Sequence, residues 1–94
     1  MKSVYLTRGV KENVSFEVLH SVVTVLMEKE NQENVDYLQV FEFENDVMIN
    51  RQEEPDESKE YRLNFKAPKI KLWGILGVDE IVGEYWTILF PSEY

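Results

Sequence analysis

Only one segment of this sequence has the apolar spacing of an α-helix, and the other apolar runs are all short. Between Phe16 and Gln32, apolar residues recur at intervals of three and four, which places them on one face of a helix. Asn13 and Ser15 precede this segment as candidate N-caps, and Glu17 lies in the first turn, where a negative charge is favoured. A helix of about 17 residues is roughly 25 Å long and covers one face of a sheet. The predicted buried face consists of Phe16, Leu19, Val22, Val23, Leu26 and Met27, and Val18 and Val25 lie beside it.

The rest of the chain is predicted to form β-strands, because its apolar runs are brief and rich in aromatic and β-branched residues. The predicted strands are residues 4–7, at a sheet edge, and 36–44, 47–52, 61–66, 70–76 and 84–90. A tight turn at Asn45-Asp46 would join the second and third strands, Ala67-Pro68 would end the fourth, and the acidic segment 53–60 would be a loop. The sequence therefore predicts a single α+β domain over residues 1–94. Its sheet would be antiparallel and meander-like, with about five to six strands and one main helix packed on one face.

Two of the predicted strands are apolar on both faces. Segments 70–76 and 84–90 carry large apolar side chains at consecutive positions, and consecutive residues of a strand point to opposite faces. One helix covers only one face of the sheet, so a second cover is required for the other. The sheet curling into a half-barrel, a second copy of the chain or a partner protein would each supply it.

Charge and composition limit the range of partners and compartments. The net charge is −8, from 18 acidic and 10 basic residues, and this sign repels nucleic-acid phosphates, so direct nucleic-acid binding is not expected. The chain has no cysteine, which excludes disulfides and thiolate metal sites and favours a reducing compartment. The first apolar run is too short for a signal peptide, and no stretch approaches the roughly 18 apolar residues of a membrane span. A cytoplasmic protein without membrane contact is expected.

Candidate catalytic and metal-binding patterns are weak. His20 is the only histidine and lies at the margin of the predicted apolar helix face, where a core-edge or surface histidine is the usual interpretation. The acidic run Glu53–Glu57 lacks the central glycine and the spacing of a calcium loop. The serines stand in no nucleophile motif, and Gly74, Gly77 and Gly83 lie between or within predicted strands rather than before a helix, as a phosphate-binding loop requires. The sequence predicts no catalytic, metal-binding or cofactor-binding residue and favours a protein that is not an enzyme.

Two groups of residues are candidates for an interaction surface. The first is aromatic, Trp73, Tyr85 and Trp86, because Trp and Tyr bring large contact areas at low entropic cost. The alternative is that these side chains fill the core of the domain itself. The second group lies where a strand leads into the acidic segment, and its alternative is a solvated loop. It consists of Arg51, Gln52, Glu53 and Glu54.

Four short segments carry a resemblance to a known family. They are YLTRGV at 5–10, DYLQVFE at 36–42, QEEP at 52–55 and EY at 93–94, and DYLQVFE is the most specific. Together they resemble a small Firmicutes family that is especially associated with staphylococci and catalogued only as a domain of unknown function, number nine hundred and sixty. The family's helix often opens with proline and carries a central Trp, where this chain has Val14-Ser15 and Val25-Leu26, and its aspartate-rich turn is replaced by 77–83. The resemblance implies a bacterial or phage-borne cytosolic protein and no particular activity.

Three hypotheses for function follow from these observations. The first is a small non-enzymatic module that binds another protein or a second copy of itself through its surplus apolar surface. The alternative is an acidic inhibitor that mimics nucleic acid and blocks a nuclease or defence enzyme, encoded by a phage or mobile element. Its support is the net charge and three acidic clusters at 28–36, 42–46 and 53–60. The third, an enzyme, requires a pocket of converging polar groups with a strongly shifted ionisable group.

Overall fold

A computed structural model describes residues 2–94 as one mixed four-stranded sheet with two α-helices. The elements are β1 (Ser3–Leu6), α1 (Arg8–Asn13), α2 (Phe16–Lys29), β2 (Leu38–Glu53), β3 (Asp56–Asp79), β4 (Gly83–Leu89) and a final 3-10 turn (Pro91–Glu93). The order across the sheet is β1-β4-β3-β2, and β1 is the predicted edge strand. The α+β class is confirmed. The prediction of an antiparallel sheet is wrong, because β1 pairs with β4 in parallel after the helices carry the chain across the sheet.

The prediction of five to six strands is also wrong, because two expected breaks lie inside strands. Asn45-Asp46 does not form a hairpin turn: Asn45 has φ 56° and lies at a bulge in β2. Between the pairs Asn45–Ala67 and Val47–Arg62, β3 has four residues where β2 has only one. Pro68 lies in the adjacent irregularity, between the pairs Phe43–Ile70 and Asn45–Ala67, and the missing N–H of proline is tolerated at bulges. Tertiary pairing therefore continues both strands through residues that are unfavourable in a regular strand.

The acidic segment 53–60 is also not a loop. β2 and β3 pair as far as Glu53 and Asp56, so only Glu54 and Pro55 form the hairpin turn. The part of this hairpin beyond the bulge, residues 47–62, is called the distal hairpin below. Its acidic residues form regular strand pairs, because the backbone hydrogen bonds between strands do not depend on side-chain polarity.

The distal hairpin bends back until its inner face reaches the beginning of β2. The Gln39 side-chain Nε2 donates to Gln52 Oε1 at 2.8 Å, and Asn50 Nδ2 donates to Gln39 Oε1 at 3.1 Å and to the carbonyl of Val40 at 3.3 Å. All three amide side chains are buried, with at most 3% of their surface exposed. We call this set the amide cluster. It holds the two halves of one strand side by side, so the sheet curls as a half-barrel would.

Asp36 fastens the hairpin tip from outside the amide cluster. Its Oδ2 accepts hydrogen bonds from the backbone N–H of Glu53 at 3.2 Å and of Glu54 at 3.1 Å. Gln52 Nε2 also donates to the carbonyl of Asn34 at 3.1 Å. The exit of α2 and the tip of the hairpin are thereby fixed to each other.

α2 begins as predicted but buries a different part of its surface. The Val18 N–H donates to the Ser15 hydroxyl at 3.3 Å, which confirms Ser15 as the N-cap. Phe16 is 78% exposed and Met27 is 42% exposed, so their predicted burial is wrong. The residues of α2 that are buried against the sheet are Val18, Val22, Val25 and Leu26. The distal hairpin curls over the side of α2 that carries Val25, and this second contact shifts the buried arc toward it.

We expect Gln52→Leu to destabilise the fold by about 2–3 kcal/mol, because the buried Gln39 amide and the partly buried Asp36 N–H would both lose Gln52 Oε1 as their acceptor. Urea unfolding followed by Trp fluorescence measures this change. The control is Glu53→Gln, an exposed neighbour, which should change stability by less than about 0.5 kcal/mol. A Gln52→Leu protein as stable as the wild type would show that the amide cluster does not maintain the bend.

Candidate protein-binding surfaces

The sheet face opposite α2 is apolar and has no helix or strand packed on it within residues 2–94. Cross-strand pairing sets a continuous row across all four strands, Tyr5–Thr87–Ile75–Leu38. A second row contains Leu89, Trp73 and Val40. The C-terminal turn and Tyr94 cover part of the second row, and Leu89 is buried there. We call the remainder the open face. It consists of Tyr5, Leu38, Val40, Trp73, Ile75, Tyr85 and Thr87, all of which are partly or largely exposed.

Aromatic contacts order the side chains of the open face. Tyr85 lies across its pairing partner Gly77, where an added Cβ would come within 2.6 Å of the Tyr85 ring. Tyr5 meets Tyr85 edge to face, with ring centroids 5.4 Å apart, and Trp73 meets Tyr94 in the same way at 5.7 Å. Such pairs favour one arrangement of the rings. Part of the side-chain freedom is therefore already lost before a partner binds.

The structure separates the three aromatic residues that the sequence grouped together. Trp73 and Tyr85 lie on the open face. Trp86 points to the other face, is 2% exposed and packs in the core under α2, so it is not part of a binding surface. Neighbouring strand residues point in opposite directions, and this alternation places Tyr85 and Trp86 on different sides. Trp86 Nε1 is the one enclosed side-chain nitrogen or oxygen among the described residues that has no hydrogen-bond partner.

The four residues 51–54 likewise do not form one surface. Gln52 belongs to the amide cluster and is a structural residue, whereas Glu53 and Glu54 are exposed at the hairpin tip. Arg51 lies on the outer side of β2, where its Nε is 2.9 Å from Glu42 Oε1. Lys71 Nζ approaches the other oxygen of Glu42 at 3.5 Å. The charge of Glu42 is therefore compensated within the chain.

The acidic clusters differ in whether their carboxylates form ion pairs with basic side chains. In the cluster 42–46, each acid has a basic partner: Glu42 with Arg51 and Lys71, Glu44 with Lys69, and Asp46 with Arg62. The clusters 28–36 and 53–60 are instead joined at one end of the molecule by the bonds of Asp36 and Gln52. They contain nine acidic and two basic residues, so this acidic end carries −7 of the net charge of −8. The three acidic clusters look alike in the sequence, and only the ion pairs in the structure show that the charge of the cluster 42–46 is compensated.

Three ionisable groups have shifted pKa values, each with a structural cause. The N–H of Phe90 and the hydroxyl of Thr7 donate to Glu93 and lower the pKa of its carboxyl. The N–H groups of Val82 and Ile81 lower the pKa of Asp79 in the same way, where it caps the β3–β4 turn. Burial raises the pKa of Tyr61, and the negative charge of Glu28 adds to this. Asp79 and Glu93 thus stabilise turns.

His20 is exposed and stacks on Phe16, with ring centroids 5.8 Å apart. Within residues 2–94, no group of three or more metal-ligating side chains is arranged around a common point. In the same range, every helix is too short or too polar to cross a membrane.

No protein-family model, curated protein or solved structure matches this chain. The resemblance of four short segments to the Firmicutes family therefore stays a prediction. In the structure these segments meet in pairs. Thr7 Oγ1 donates to Glu93 Oε1 at 2.8 Å, which joins segment 5–10 to segment 93–94, and the amide cluster joins 36–42 to 52–55. Their contacts are within the chain and maintain the fold.

We expect Glu93 to make stability depend on pH in the acidic range. Because its pKa is lowered from the ordinary value of 4.5, its stabilisation is complete above that value and is lost as pH falls through the lowered pKa. Glu93→Gln should therefore lower the urea midpoint at neutral pH, and its difference from the wild type should shrink below about pH 4.5. Glu33→Gln, in an exposed loop, serves as the control. A difference that stays constant from neutral pH to about pH 3 would contradict this role.

Proposed function

We propose that this protein is a non-enzymatic protein-binding module whose open face docks on an apolar surface of another protein. The observation that supports the proposal is the row Tyr5–Thr87–Ile75–Leu38, which is apolar apart from the Thr87 hydroxyl and on which no layer of residues 2–94 is packed. A sheet that is apolar on both faces needs a cover on each, and α2 covers only one. Contiguous exposed apolar surface of this kind is typical of interaction sites.

Trp73 and Tyr85 are the expected anchors of this interaction. Both are partly exposed and held by ring contacts, so a partner meets large apolar side chains that are already ordered. On the same side of the sheet as Trp73, the charges of Glu42, Lys71 and Arg51 compensate one another. Binding at the open face should therefore depend little on salt.

We expect Ile75→Lys to abolish capture of a partner that wild-type protein retains at high salt, because it places a charge at the centre of the open face. The experiment is a tagged pull-down from nuclease-treated Gram-positive lysate, washed at about 0.1 and about 0.5 M salt. The matched control is Phe16→Ser, which removes an exposed aromatic side chain from α2, away from the open face. Circular dichroism checks that each variant is folded.

Two outcomes would contradict the open-face proposal. One is a partner that Ile75→Lys retains as well as the wild type. The other is the absence of any partner together with a dimer, measured by sedimentation, that Ile75→Lys dissociates, since a second copy of the chain would then cover the open face.

A second candidate function is an acidic inhibitor that mimics nucleic acid and occupies the binding groove of a nuclease or defence enzyme. The observation that favours it is the acidic end, where the bent hairpin and the exit of α2 together hold −7 of the net charge. A groove that binds phosphates offers Lys and Arg side chains to such a surface. A phage or mobile element would be the expected origin of its gene.

We expect a partner of this second kind to dissociate between about 0.1 and about 0.5 M salt, as screening shortens the range of its interactions. The double substitution Glu54→Lys and Glu60→Lys should weaken its capture at low salt, whereas Ile75→Lys should leave it unchanged. The retained proteins are identified by mass spectrometry. A partner insensitive to both salt and the double substitution would exclude charge mimicry.

A further inference from the structure

We infer that a cleft at the acidic end binds the side chain of an arginine from a basic partner protein. The cleft has a volume of about 380 Å³ and lies between the last turns of α2 and the distal hairpin. Its lining includes Val25 and Glu28 from the helix and Asn50, Glu57, Lys59 and Tyr61 from the hairpin. It is separate from the open face, so the inference does not depend on the protein-binding proposal for that face.

Asn50 supplies the first argument, because it is a buried polar side chain with one unused group. It is 3% exposed, and its Nδ2 donates to Gln39 and to the Val40 carbonyl. Its Oδ1 accepts no hydrogen bond from residues 2–94. The atom is not sealed in the core, since Trp86 Nε1 is the sole enclosed polar side-chain atom without a partner there. Asn50 lines the cleft, and Oδ1 is the acceptor of its side chain that remains for a ligand that can donate.

Tyr61 supplies the second argument, because its ring already holds a cation. Lys59 Nζ lies 5.0 Å from the ring centroid, within the range of a cation–π contact. The same residue has a raised pKa, from burial first and from the charge of Glu28 second. A partly buried aromatic ring near a carboxylate is a favourable position for a positive group.

The electrostatic field of the acidic end supplies the third argument. Within the cleft, Lys29 and Lys59 balance the charges of Glu28 and Glu57, but the residues 28–36 and 53–60 around them sum to −7. Anionic ligands are therefore repelled and cationic ones attracted.

A guanidinium group fits these features better than an ammonium. It is planar and can stack on Tyr61 in place of Lys59. Its five N–H donors can reach Asn50 Oδ1 and a carboxylate at the same time, and arginine pairs with carboxylates in a bidentate geometry. An ammonium is a strongly hydrated point charge that the cleft already contains in Lys59.

The test is an NMR titration of the whole chain with N-acetyl-arginine amide, and with the matching lysine and citrulline amides. We expect saturable shifts at the Asn50 side-chain amide and the Tyr61 ring with the arginine compound, at least several-fold weaker binding of the lysine compound, and none with neutral citrulline. Glu57→Gln should weaken arginine binding about two- to fivefold. Tyr61→Phe keeps the ring and should bind within about twofold of the wild type.

The control variant is Glu17→Gln, at the other end of α2, which should leave arginine binding unchanged. Equal binding of citrulline would overturn the inference, as would the absence of saturable shifts at about 50 mM arginine amide. Shifts spread over the whole acidic end and equal for lysine would also overturn it, since they would show attraction of cations without a specific cleft.

Discussion

The bend of the β2–β3 hairpin depends on hydrogen bonds among three buried amide side chains, and much of the molecule is arranged by that bend. Without it, β2 would be a 16-residue edge strand with free backbone groups along its whole length. Long open edges invite pairing with other chains. The amide cluster instead turns the strand on itself, and Asn50 donates to the Val40 carbonyl on the edge that would otherwise be free. Buried amides of this kind are stabilising only when each is hydrogen-bonded, which makes their geometry specific.

The same bend determines where charge is compensated and where it accumulates. On the outer side it brings Arg51 to Glu42, so the acids near the bulge are paired. On the inner side it brings the tip of the hairpin to the exit of α2, and the unpaired acids collect there. The two candidate surfaces therefore differ in physical character. One is apolar and electrically compensated, and the other is charged and contains a small cleft.

Local rules were sufficient for some elements of the fold. Ser15 precedes an apolar periodic segment and caps α2, and Pro91 ends the last strand, because both effects involve only neighbouring residues. The sequence does not predict the helix α1, because it has only six residues. Thr7 is its N-cap. The wide apolar arc of α2 did not determine which part is buried. That depends on the distal hairpin, whose bend is invisible to a short sequence window.

Only part of the candidate surfaces can be predicted from the sequence, because the bend of the distal hairpin determines the rest. Alternation along β4 requires Tyr85 and Trp86 to face opposite ways, but it does not say which face the helix covers. Gln52 is predicted at the surface because it is polar and follows Arg51, whereas three of its hydrogen bonds join it to residues 13 to 18 positions earlier. The cleft was not predicted, since its walls come from two elements that the bend brings together.

The parallel pairing of β1 with β4 has a consequence for synthesis on the ribosome. Residues 3–6 are made long before their strand partners, residues 85–88. Thr7 likewise meets Glu93 across 86 positions. The apolar sheet face under α2 therefore stays incomplete until residues 85–88 have been made. Contacts of such long sequence separation slow folding. A chaperone that shields the growing hairpin would have its greatest effect in this interval, before the last strand closes between β1 and β3.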